Sequence, residues 1–376
     1  MVAVLLAMAT TALAAPQRVF VASYGVDTNP CTLVKPCRTF ATAVLVVATG
    51  GEVIPLDSAE YGPVLIGRSM SIVAPPGVVA SVTATESTAV DIYQFGGPGL
   101  NVRLKGLRVR GPPNARAIYI NGYVDSSLTI EDSDVSSSNS IYDALFIQYA
   151  GSVVIRDSAF HDSATGILSN SRGVYERVHL WGNLVGGKFK APSTMVGLVV
   201  EGNVNEGAVV GNLEEPAVVS GVPASITDSV FVGNGVGLRL ELRDQFHFNG
   251  DEIQCRGPAV SEAGIIRSVV SGNAGAGVVV SHDRCDASSL FSVTLDGNVI
   301  NDNGTHGVEV TGFPVSGPPV PSLGPAPQMV VVGNTIFGNG ATGISAPATS
   351  VLRTRGNNAI VQSVPIIGTL TPLPAY

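Results

Sequence analysis

Residues 265–280 read IIRSVVSGNAGAGVVV, and residues 295–310 read LDGNVINDNGTHGVEV. The two stretches share one frame. An apolar residue opens each (Ile265, Leu295), a second follows five positions on (Val270, Ile300), an asparagine eight on (Asn273, Asn303) and a glycine twelve on (Gly277, Gly307). The frame recurs at Tyr175, Leu180, Asn183 and Gly186, at Ile226, Phe231, Asn234 and Gly237, and at Val331, Ile336, Asn339 and Gly343. Units of this kind bury their apolar side only against copies of themselves, which marks a solenoid. A polar side chain in phase with the apolar ones points inward at a turn, and a buried amide requires partners. Stacked rung over rung, Asn183, Asn234, Asn273, Asn303 and Asn339 can satisfy one another and the turn backbone as a ladder. Apolar alternation in Val308-x-Val310 and Leu238-x-Leu240 reads as strand. The expected class is all-β, a parallel β-helix.

Composition agrees. Of 376 residues, 45% are hydrophobic and only 13% charged, so the chain is too apolar for disorder and too poor in long charged side chains for exposed helix faces. Glycine, at 44 residues, serves the corners. A net charge of −8 argues against a nucleic-acid partner, which needs a basic stripe. Residues 1–15, MVAVLLAMATTALAA, read as a signal peptide ending in small residues, although a basic start is missing. No other stretch is long and apolar enough for a membrane span. Residues 16–376 are then one domain. A cap occupies about 17–56, with helical spacing at Phe40, Ala43, Val44 and Val47, and regular coils run over about 128–345. Coils are expected to start near Ile130, Ile155, Tyr175, Val200, Ile226, Ile265, Leu295 and Val331. Residues 212–223, 241–262 and 281–290 read as longer loops, and 313–327 as a proline-rich excursion. Cys31 and Cys37 enclose a short turn-rich loop and are expected to form a disulfide. Cys255 and Cys285 could bridge adjacent coils, and no CxxC pair supports a metal.

The opening RVFVASYGVDTNPC, KPCRTFATAV, GGEV and the coils of form V-x-x-N-x-I-x-x-N-x-x-x-x-G-V resemble secreted bacterial right-handed parallel β-helix repeat proteins of the pectate-lyase-like superfamily, over roughly residues 17–365. The resemblance implies a right-handed single-stranded β-solenoid with a short N-terminal capping helix. It implies a location that is secreted, periplasmic or at the cell surface. It does not choose among lyases, hydrolases, epimerases and adhesins. The W-x-D-H run of pectate lyases is missing, as is the polygalacturonase set N-T-D, D-D, G-H-G and R-I-K.

The register marks where chemistry could sit. If the coil start, the third and the fifth positions after it point inward, then positions one, two, four and six are candidates for solvent. They hold Glu131, Arg156 and Glu176, then Asp132, Asp157 and Arg177, then Asp134 and His179, then His161 and the lone Trp181. Adjacent strands lie about 4.8 Å apart, so opposite charges should neighbour each other in these columns. Asp132, Asp134, Asp157, His161, Arg177, His179 and Trp181 thus form a candidate glycan-binding patch, in which a ring stacks on a sugar and charged groups take hydroxyls or uronates. The competing reading is a solvated ladder of charges that holds register. Lys188 and Lys190, flanking Phe189, read as a loop edge, and Asn298 and Asn334 as structural. No phosphate loop or dinucleotide fingerprint implies a cofactor. Two functions follow. One is a non-catalytic extracytoplasmic β-helix with a structural or glycan-binding role. The other is a polysaccharide lyase or glycoside hydrolase acting on an extracellular polysaccharide.

Overall fold

A computed structural model describes residues 15–211, 223–243, 246–249, 252–255, 260–283, 290–312, 328–346 and 350–373. The chain winds through three long sheets, of 14, 12 and 12 strands, here called A, B and C in the order the chain first enters them from residue 52 onward as A, B, C in each full turn. Each strand pairs in parallel with the equivalent strand one turn earlier and one turn later. Sheet A runs from Arg18–Val21 to Leu370–Pro372. A two-stranded antiparallel hairpin, Phe246–Asn249 with Glu252–Cys255, stands apart from the three sheets. It lies within 241–262, read from sequence as loop.

The period-two alternation sets which side chains enter the core. In sheet A, Ile130, Ile155, Tyr175, Met195, Ile226, Ile265, Leu295 and Val331 form one inward column in continuous register. In sheet B the inward column is Val135, Phe160, Leu180, Val200, Phe231, Val270, Ile300 and Ile336. Val200 therefore belongs to sheet B, and Met195 opens that coil. The expected start at Val200 was a phase error: Met195 lacks the β-branch that marks most other starts, and Val200 repeats the spacing from Ile130 to Ile155. Lys188 and Phe189 are likewise not in a loop. Val185–Phe189 is a strand of sheet C, and Phe189 is buried edge-on against Tyr175, 4.6 Å between ring centres. A Cβ on Gly186, the frame glycine of this coil, would lie 2.3 Å from the Gly207 carbonyl oxygen. Glycine is required there for close stacking, not for a turn.

The corner between sheets B and C is filled by carboxamides. Asn183, Asn203, Asn234, Asn273, Asn303 and Asn339 are all buried. Asn234 Oδ1 accepts both the backbone N–H and the side-chain amide of Asn203, at 3.0 and 2.8 Å. Asn273 does the same for Asn234, at 2.9 and 3.0 Å. Each amide also donates to a core-strand carbonyl, as Asn234 does to Val200 at 3.0 Å. Ser163 precedes the series, and Gln362 closes it by accepting from Asn339 N at 3.0 Å. Asn203 was missing from the sequence frame because its coil start was misplaced. A second ladder, Ser229, Ser268, Asn298, Asn334 and Asn358, lines the corner between sheets A and B.

The helix Phe40–Val46 lies over the first rung, with Phe40, Ala43 and Val44 buried. Thr39 caps it, its hydroxyl accepting from Thr42 N at 3.2 Å. The helix covers core that no earlier rung could shield. Cys31 and Cys37 form a disulfide beside it. Cys285, and with it the pairing to Cys255, lies outside the described residues, as do residues 1–14 of the expected signal peptide 1–15 and the proline-rich 313–327.

Asn234→Ala strips the acceptor from two buried donors of Asn203 and the donor from the Val200 carbonyl. It should lower unfolding free energy by roughly 2–4 kcal/mol in urea titrations. A change under about 1 kcal/mol would mean that the carboxamide column contributes little.

Candidate functional site

From Gly106 onward, each turn from sheet A to sheet B passes through one residue with a left-handed backbone. In several coils that residue is glycine, as at Gly197, Gly297 and Gly333. Elsewhere it is Asp132 (φ 49°), Asp157 (φ 49°), Arg177 (φ 51°), Asp228 (φ 51°) or Arg267 (φ 49°). A side chain here costs about 1–2 kcal/mol of backbone strain, so it needs a compensating contact. The contacts are pairs across adjacent rungs. Arg177 forks onto Asp157, Nε to Oδ1 at 2.6 Å and Nη2 to Oδ2 at 2.8 Å. Arg267 forks onto Asp228, both distances 2.8 Å. The Asp228–Arg267 pair escaped the sequence reading, although its members stand two residues after Ile226 and Ile265, in the same column.

The remaining charges also pair along the axis. Lys105 Nζ is 3.1 Å from Asp132, Arg103 Nε donates to Glu131 at 2.9 Å, and Arg156 Nε is 2.9 Å from Glu176. Glu131 thus turns to the rung below and not to Arg156. Asp132, Asp134, Asp157, Arg177 and His179 line one shallow depression of about 550 Å³, with Ser133, Ser158 and Ala159 at its floor. His179 Nε2 is 2.9 Å from Glu201 Oε1.

His161 and Trp181 do not line this depression. They occupy the next outward position of sheet B, paired in register. Their rings stack face to face, 4.2 Å apart and 7° from parallel. His161 was expected at the surface, yet its side chain is only 8% exposed. Trp181 covers it, and two carboxylates flank it. Nδ1 is 2.8 Å from Asp162 Oδ2, and Nε2 is 3.4 Å from Asp134 Oδ2, out of line for a hydrogen bond. Burial alone would lower the His161 pKa; the two carboxylates outweigh it and raise the value above 6.5. Asp134 moves the other way. The His161 ring, and then the Arg110 guanidinium, hold its carboxyl well below the usual range despite partial burial. Arg177 likewise depresses Asp157. Asp162 was also missed; its φ of 49° places it in a second left-handed column, shared with Gly182 and Gly202. Among the described residues no cluster of His, Cys, Asp and Glu is arranged to hold a metal ion, and no helix is long and apolar enough to cross a membrane.

Because the folded pKa of His161 is raised, the stability it contributes is complete below about pH 6.5 and is lost as pH rises through the folded midpoint. The imidazole resonances should therefore titrate above 6.5. Urea unfolding should show wild-type stability declining as pH rises above 6.5, with a flatter profile for His161→Gln. A ring that titrates below the ordinary value would contradict the two-carboxylate account.

No family model and no curated protein matches this chain. Solved structures do. The A-module of mannuronan C-5 epimerase AlgE4 from Azotobacter vinelandii superposes with a TM-score of 0.63 at 17% sequence identity, over 87% of this chain and 91% of its own. The AlgE6 A-module from the same organism gives 0.59 at 15%, over 87% and 92%. The periplasmic alginate epimerase AlgG gives 0.55 at 11%, over 87% and 76%. Identities this low carry the fold alone: the chain is a right-handed parallel β-helix.

Proposed function

We propose that this protein is an extracytoplasmic β-helix that holds an extracellular polysaccharide along the A–B edge without cleaving it. One observation carries the reading. Every carboxylate lining the depression is already matched to a cation, and the two whose titration is displaced, Asp134 and Asp157, are displaced downwards. Glycoside hydrolysis needs one carboxyl held protonated to donate to the leaving oxygen. Asp134 and Asp157 are shifted the opposite way.

The alternative of a polysaccharide lyase or hydrolase rests on the Asp134–His161 contact. A lyase base must reach a sugar proton in its neutral form. Two carboxylates favour the charged form of His161, and Trp181 lies over its ring, which argues against that role.

Binding suits the same geometry. The Asp157–Arg177 fork is about half exposed, and such pairs contribute only about 0–1 kcal/mol. Arg177 can therefore exchange Asp157 for a sugar carboxylate or hydroxyl at little cost, while His179 and the outer face of Trp181 stand beside it. The fold is shared with proteins named as mannuronan and alginate epimerases, which makes a polysaccharide the first partner to test. The disulfide fits an oxidising location outside the cytoplasm.

Affinity electrophoresis in gels containing alginate, polygalacturonate or neutral glucan should show retardation by at least one polymer. The double variant Arg177→Ala, Trp181→Ala should weaken it roughly tenfold. Incubation should release neither reducing nor unsaturated ends. Product release that disappears in Asp157→Ala or Asp134→Asn would overturn the non-catalytic reading.

A further inference from the structure

A different face carries a second feature. The parallel strands Val90–Tyr93, Ile118–Asn121 and Leu145–Tyr149 of sheet C stand side by side, in register up to Ile120, where a bulge sets Asn121 against Tyr149. Alternation sends Val90, Ile92, Ile118, Ile120, Leu145 and Ile147 into the core. The outward positions then form two short rows across the rungs. One is Asp91, Tyr119 and Phe146; the other is Tyr93, Asn121 and Tyr149.

We propose that this outer face of sheet C is a docking platform for a neutral, hydroxyl-rich pyranose chain. It is independent of the A–B depression and shares no residue with it.

The rings are presented, not hidden. Phe95 is 71% exposed and Tyr149 is 54% exposed. Tyr93 and Phe95 pack with centres 4.8 Å apart, and Tyr119 and Phe146 at 5.6 Å. Arg116 fixes the second pair from the side, its guanidinium 4.6 Å from the Phe146 centre and 5.7 Å from that of Tyr119. Successive rungs are about 4.8 Å apart, and a pyranose chain running along the axis advances by a similar distance per ring. Each of the three rungs carries at least one aromatic, so rings recur along the axis at a spacing close to that of the sugars. The apolar faces of pyranose rings stack on such side chains, and the ring edges demand hydrogen bonds.

Polar groups stand where those edges would fall. Asn121 and Gln148 lie among the rings, and Gln148 accepts the Tyr119 hydroxyl. Asp91 sits between Leu65 and Tyr119 on the neighbouring strands, and its Oδ1 is buried without a hydrogen-bond partner. The rest of the Asp91 side chain is only partly buried, so its carboxylate can accept a sugar hydroxyl.

Charge selects the class of partner. Arg116 is matched by Asp143 at 3.3 Å, so the platform offers no unpaired cation to a polyanion. Burial also holds the Asp91 carboxyl above its usual range. A face whose one cation is already paired fits a neutral polymer better than a polyanion. Hydrogen-bonding side chains set between the rings distinguish it from the apolar centre expected of a self-association surface.

The test is retardation of the full-length protein in native gels containing galactomannan or hydroxyethylcellulose, with cellohexaose titrations by calorimetry. Wild type should be retarded by at least one neutral polymer. Tyr149→Ala combined with Phe95→Ala should weaken binding about tenfold. Both side chains are exposed, so the melting temperature should hold. Leu45→Ala, on the open face of the capping helix, should bind as wild type does. No retardation by any neutral polymer, or retardation untouched by the double variant, would overturn the proposal. So would a dimer in sedimentation that Tyr149→Ala dissolves, since the face would then join two copies of this chain.

Discussion

Backbone groups of this chain find their partners one turn away along the axis, and that requirement governs the rest. A strand in sheet A bonds to the strands of the preceding and following rungs, so the rise per rung is fixed wherever the strands run. Corners are the weak points, because there the backbone leaves the ladder and its N–H groups need other acceptors. Asparagine solves this in a single side chain. Its oxygen takes two donors from the adjacent rung, and its amide returns one bond to a core carbonyl. Serine supplies only part of this, and it stands mainly at the corners of the earlier coils, as at Ser133, Ser158 and Ser163.

Fixed rise also shapes the surface. Equivalent residues stack into columns, so one charge has its counterpart about 4.8 Å away. Like charges in a column repel unless a third group intervenes. Lys105 takes Asp132, and Arg177 takes Asp157, which settles the one step where two aspartates would have met. The same columns align aromatic rings on sheet C. A rigid solenoid thus carries extended, one-dimensional surfaces, suited to extended partners.

Most of the fold was legible because the frame of apolar, apolar, Asn and Gly repeats with little change from residue 175 on. The error at Val200 shows the limit. Met195 and Val200 are both apolar, and only the register with Tyr175 on one side and Ile226 on the other separates them. Asn203 was lost with that phase. The candidate patch was legible as columns but not as depth. Position six faces outward in the strand, yet His161 is covered because the next rung places a large ring over it. The aromatic face of sheet C went unread for a different reason. It lies in coils that lack the asparagine frame, with Gln94 and Ser126 serving at the corners there. Its trace was the alternation in VDIY, IYIN and LFIQY, where each outward position holds an aromatic or polar residue.

The coils opening at Ile155, Tyr175 and Met195 are joined without any insertion, and their corner bonds span 20 residues. Such a turn is a complete module: it supplies one strand to each sheet and leaves both its faces compatible with the turns beside it. Molecules of this design can change length by gaining or losing whole turns through duplication or recombination, with the interior rejoined at each splice. Their reach along a partner is therefore a heritable quantity that moves in steps of one rung, and it is separable from the chemistry that any single rung displays.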